Sequence, residues 1–138
     1  MSRESARIAV VTAVQALKAT WTDYDLVVEY GNTLVDIAAQ SKPFLRVTIL
    51  YSDAFQVDLG AAPKHRATGG ILLEVLAKEG SGDKIQNQIL EHFYKPLHMS
   101  DAYPPLRTYA AKFLPVKPAV SGWLNTGITV PFWYDDIS

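Results

Sequence analysis

The stretch Gly80-Ser81-Gly82-Asp83-Lys84 has the outline of a phosphate site, since an apolar segment runs into a glycine-rich turn, a lysine and then a helical pattern. Its details count against that chemistry. A Walker loop needs Gly immediately before the lysine and Ser or Thr immediately after it, to cradle phosphate and hold magnesium. Here Asp83 precedes Lys84 and Ile85 follows it. The dinucleotide pattern fails as well, because its third glycine falls on Ile85. A carboxylate at a helix N-terminus also occupies the place where an anion would bind. Asp83 therefore reads as a helix cap, Lys84 as a solvated side chain and the glycines as a tight reversal.

Other reactive types are sparse. Cysteine is absent, which removes disulfides, thiolate metal sites and cysteine nucleophiles. The three histidines, His65, His92 and His98, lack the i, i+4 spacing of a helical zinc site, and HExxH does not occur. Glu91-His92 is expected on the polar, solvated face of a helix. His98 and Asp101 flank a loop without further ligands nearby. Ser81 lies in EGSGD, which is not a GxSxG nucleophile elbow. Asp53, Asp58, Asp135 and Asp136 have no spacing that makes an acid/base pair. What remains are features suited to contact. Lys64-His65-Arg66 is a small basic patch beside Pro63, and Trp133 is expected to point away from the core face of the last strand. These four residues, Lys64, His65, Arg66 and Trp133, are the candidate protein-interface positions.

The elements that must position them follow from periodicity. Residues 3 to 20 form one helix, with Ala6, Val10, Ala13, Val14, Leu17 and Trp21 in an apolar stripe. DLVVEY (25 to 30) is a strand stopped by Gly31-Asn32. FLRVTILY (44 to 51) alternates, with Leu45, Val47, Ile49 and Tyr51 on one face. FQVDLG (55 to 60) is a short strand, AAPKHRATGG (61 to 70) a loop by composition, and ILLEVLAK (71 to 78) a strand. A second helix spans 83 to 95, with Ile85, Ile89, Leu90 and Phe93 inward, Gln86, Gln88, Glu91 and His92 outward, and Pro96 closing it. Residues 106 to 116 form a strand, 116 to 123 a loop, and GITVPFWY (127 to 134) a final strand. Pro131 predicts that this strand is an edge or is bulged there. The order is not a βαβ alternation. It predicts one α+β domain over 1 to 138, with two helices packed on one face of a largely antiparallel or mixed sheet.

The formal charge of -1 supplies no basic excess to draw the whole chain onto nucleic acid or an anionic membrane. No apolar run approaches the roughly 20 residues of a membrane span, and the N-terminus is not a clean signal peptide. The expectation is a soluble, cytoplasmic-type protein with neither a membrane nor a specific nucleic-acid partner.

From Val27 onward, the order of blocks resembles the tail terminator-like proteins of siphophages. VEYGN is followed by PFLRVTIL, then QVDLG, then Arg66 leading into GGILLEVLAKEGSG, then a helix with Ile89 and Phe93, and finally SGW and ITVPFWYDD. The resemblance implies an α+β domain that self-associates into a ring, usually hexameric, on the tail tube protein. Such a ring stops tube growth and presents a surface to the head-tail connector protein, in the virion tail or as a prophage product in the host cytoplasm. It implies no enzyme activity and no cofactor. Two alternatives stay open: a neck or head-completion protein of the same module, and a small ligand-binding α+β domain using the Gly80–Lys84 turn.

Overall fold

A computed structural model describes residues 3–22, 24–30, 42–56, 64–78, 84–100, 106–114, 117–118 and 123–137. Helix α1 (Arg3–Ala19) follows its apolar stripe, with Glu4 in the first turn and Lys18 in the last, both favourable to the helix dipole. Ala6, Val10, Ala13 and Val14 are buried. Helix α2 (Lys84–Leu97) buries Ile89, Leu90, Phe93 and Leu97. Gln86, expected outward, is buried with them and its Nε2 has no partner. It lies one turn before Leu90 and so falls on the inward stripe.

The strands are β1 (Val28–Tyr30), β2 (Phe44–Gln56), β3 (Lys64–Lys78), β4 (Arg107–Thr108), β5 (Lys112–Phe113), β6 (Lys117–Pro118) and β7 (Trp123–Ile137). They form one mixed sheet in the order β1-β2-β3-β7-β4, with β5 and β6 also on β7. β1 runs parallel to β2, and every other pairing is antiparallel. Both helices contribute to one core with Leu45, Val47, Ile71, Leu73, Val75, Ile128, Val130 and Phe132, the inward set of a period-two pattern. The α+β class and the packing of two helices on the sheet are thus as the periodicity predicts. Burial pushes the Tyr30 phenol at the β1 edge up, against a smaller opposing effect of the hydrogen bond it accepts from Gln15.

Four expectations are corrected. Phe55-Gln56 ends β2 instead of opening a separate strand, after a register irregularity between Tyr51 and Ala54; residues 57–60 lie outside the described set. Lys64 to Gly70 are the first half of β3, not a loop. They pair with β2 on one side and β7 on the other, which outweighs their turn-like composition. Residues 106–114 contribute two short strands, and 117–118 a third, along one edge of β7. β7 is therefore interior, between β3 and this broken edge. Pro131 is accommodated because its missing donor faces the gap: its carbonyl accepts from Tyr109 N at 2.8 Å, between β4 and β5.

That edge is tied to the end of α2. Met99 adopts a left-handed φ of 48°, and its N–H bonds Tyr109 O at 3.0 Å, while Thr108 N bonds Ser100 O at 2.9 Å. The buried Thr108 hydroxyl donates to Leu97 O, a terminal helix carbonyl, and accepts from Ser100 N at 2.7 Å. Thr108→Val keeps the shape and strands both partners. It should cost about 2 kcal/mol in urea denaturation; an unchanged midpoint would contradict this role.

Candidate functional site

The sheet face away from the helices carries the polar chemistry. On it, Trp133 of β7 stands opposite Thr68 of β3 and Arg107 of β4. Arg66, one diagonal step away on β3, brings its Cζ to 3.9 Å from the Trp133 ring centroid, and the Arg107 Cζ lies at 5.4 Å. Strand register thus joins two of the four expected interface residues, Arg66 and Trp133, and adds a third. Both guanidinium groups draw on the negative face of the indole. Trp133 and Arg66 are half-buried and Arg107 is exposed. Lys64 and His65 sit in β3 opposite Ile137 and Asp136, and their side chains lie outside the described set.

Arg107 escaped the sequence reading because it lies in a two-residue strand whose place depends on β7. The strand assignment over 106–116 held part of the signal, but not the register. A polar row on the same face was also missed. Glu29 of β1, Arg46 of β2 and Glu74 of β3 are aligned across the sheet, with Asn125 of β7 next to Glu74. Glu29 is 3% exposed, and Arg46 Nε lies 3.4 Å from its Oε1 without hydrogen-bond alignment. Asn125 donates to the Glu74 carboxylate. At one end of this face Phe44, Leu76 and Trp123 form a second small apolar cluster.

On the helix side, His92 is not solvated. Its Nε2 lies 2.8 Å from both Leu17 O and Thr20 Oγ1, and its ring meets Trp21 and Phe93 edge-on. Leu17 O only accepts, so Nε2 carries the proton, and the residue fastens α2 to the last turn of α1. His98 accepts from Ala111 N at 2.9 Å. A groove of about 200 Å³ lies between α2 and β5, lined by Leu90, Glu91, Tyr94, Phe113, Leu114 and Thr126 among others. Among the described residues no group of His, Asp and Glu is placed to hold a metal ion. Lys84 opens α2 and is exposed, whereas Gly80, Ser81, Gly82, Asp83, Asp58 and Asp101 lie outside the described residues. Among the described residues, no helix is long and apolar enough to cross a membrane.

The arrangement defines an α+β domain whose sheet presents an aromatic–guanidinium cluster. No family model matches the chain, and no curated protein matches it. Several solved structures match the chain, and one of them is similar over 100% of this chain and 98% of its own, with a TM-score of 0.68 at 16% identity. Its name states no function, and at that identity the likeness establishes the fold alone.

Proposed function

We propose that the protein is a phage structural subunit that self-associates into a ring, caps the tail tube, terminates its growth and forms the tail side of the head-tail junction. The block order from Val27 to Asp136 supports this reading, and the α+β fold is compatible with it. The observation that carries it is Trp133 between Arg66 and Arg107 on the sheet face. Tryptophan and arginine are the residue types that most often dominate the energy of protein contacts, and they do so from clusters of this kind. The chemistry is binding and positioning, with no bond made or broken.

The test is light scattering at high concentration, with negative-stain images in the presence of purified tail tubes. A strict monomer that also leaves the tubes uncapped overturns the proposal. Dilute monomer alone is compatible with it, since a ring can close on the tube by mass action. Arg66→Glu replaces the cation stacked on Trp133 by an anion. It should weaken capping at least tenfold, about 1.4 kcal/mol. Folded-state stability should fall by about 2 kcal/mol at most, the size of a partly desolvated cation–π contact. Normal capping by this variant would remove Arg66 from the interface.

A further inference from the structure

Arg107 has more donors than the chain uses. Its side chain is exposed and lies over Trp133 with its Cζ 5.4 Å from the ring. Among the described residues it has no hydrogen-bond or ion-pair partner. A guanidinium is a planar fork of five N–H donors that matches one carboxylate in a bidentate pair. The stack restricts its rotamers in advance, which lowers the ordering cost when a partner arrives. The charge balance also selects the kind of anion. The chain's formal charge of -1 supplies no basic excess for a phosphodiester backbone, whereas one guanidinium suffices for a single side-chain carboxylate.

We infer that Arg107 is a carboxylate-binding position at an interface between copies of this chain, filled by an Asp or Glu side chain of the neighbouring copy. The inference rests on the ring reading. The chain's own surface supplies the needed groups, since Asp25 and Glu91 are exposed carboxylates. Trp133 forms the platform, Arg66 packs against it, and Arg107 makes the directional contact. A ring built head to tail pairs two different surfaces, so the guanidinium and its carboxylate come from different parts of the chain.

Three variants of the full chain test this on purified tail tubes, beside wild type. Arg107→Glu should lower capping at least tenfold, and Arg107→Lys should retain part of it. The Arg107→Lys variant, assembled on tubes and treated with a carbodiimide, should give an inter-chain amide from position 107 to an Asp or Glu, identified by mass spectrometry. Asp or Glu replaced by Arg at the mapped position should restore capping when combined with Arg107→Glu. Wild-type assembly with unimpaired Arg107→Glu overturns the inference and leaves the ring reading standing. A cross-link to a tube protein, with none between copies, also overturns it.

If wild type neither self-associates nor caps tubes, the ring reading falls, and the carboxylate site is decided on the monomer. Tryptophan fluorescence is then titrated with a glutamate-rich peptide, inorganic phosphate and a single-stranded oligonucleotide, using Trp133→Phe as the control. A response to the peptide that Arg107→Glu abolishes keeps the carboxylate site. Silence, or a response to phosphate or the oligonucleotide without the peptide, overturns it.

Discussion

Gly69→Ala should destabilise the fold by about 3 kcal/mol, the upper end of ordinary overpacking. A Cβ at this position would lie 2.3 Å from the backbone oxygen of Leu50 and 2.7 Å from Phe132 Cζ. The first of these belongs to the backbone of the neighbouring strand and cannot retreat without shifting β2 against β3, in which Gly69 stands opposite Tyr51. On the other side Gly69 faces Phe132, whose buried ring covers the missing side chain. A glycine inside a strand normally weakens it; here its absence of a side chain makes room for the Phe132 ring. For a domain of this size, the melting temperature should fall by roughly 10 °C. Gly70→Ala is the internal control. Its added Cβ would meet only the Thr129 methyl, at 3.1 Å, so its cost should be clearly smaller. Phe132→Ala should itself cost about 3 kcal/mol or more. Combined with Gly69→Ala it should lose less than the sum, because the ring half of the clash is gone while the Leu50 half persists. Equal melting points for the two glycine variants would refute the close approach.

Removal of Arg46 should have an effect of similar size for an electrostatic reason. Arg46→Met leaves the Glu29 carboxylate, 3% exposed, without its counter-ion. A buried charge stripped of its partner typically costs about 3 kcal/mol or more, since desolvation is no longer offset. Arg46 is itself 28% exposed at the side chain, which puts the expectation at the lower end of that range. Combining it with Glu29→Gln should recover most of the loss, because a neutral amide is far cheaper to bury than a carboxylate. Urea denaturation of the two singles and the double closes the cycle. An additive double mutant would show that the two side chains do not act as a pair. The Glu4–Arg7 pair gives the contrast. It has the shorter contact, 2.6 Å, but both groups are exposed, so its loss should leave stability unchanged within error.

Much of the fold was legible from local pattern. The stripe Ala6, Val10, Ala13 and Val14 faces the core, and so do Leu45 and Val47, Ile71, Leu73 and Val75, and Ile128, Val130 and Phe132. Each set is a periodicity readable within a dozen residues, and burial of the apolar face makes that periodicity decide the element. Composition misled where long-range pairing outweighed it. KHRATGG reads as a loop, yet two neighbouring strands supply its backbone partners and Phe132 covers its glycine. Similarly, the last strand has an edge-strand proline but lies inside the sheet, because the edge segment breaks at that proline.

Of the candidate site, residue types were visible and their assembly was not. Arg66 and Trp133 stood out by type; that they touch follows from a register in which Ala67 opposes Tyr134. Arg107 joins them only through β4. Glu29, Arg46 and Glu74 come from three strands and look unrelated along the chain, and His92 looks solvated until α1 ends beside it. The sequence by itself determined the helices, most of the strand segments and the faces they bury, because side-chain period and apolar burial are local. The tertiary structure decided which strands are interior, where the glycine pair lies and which cations share Trp133. Pairing register is set between segments far apart in the chain, and no single segment encodes it.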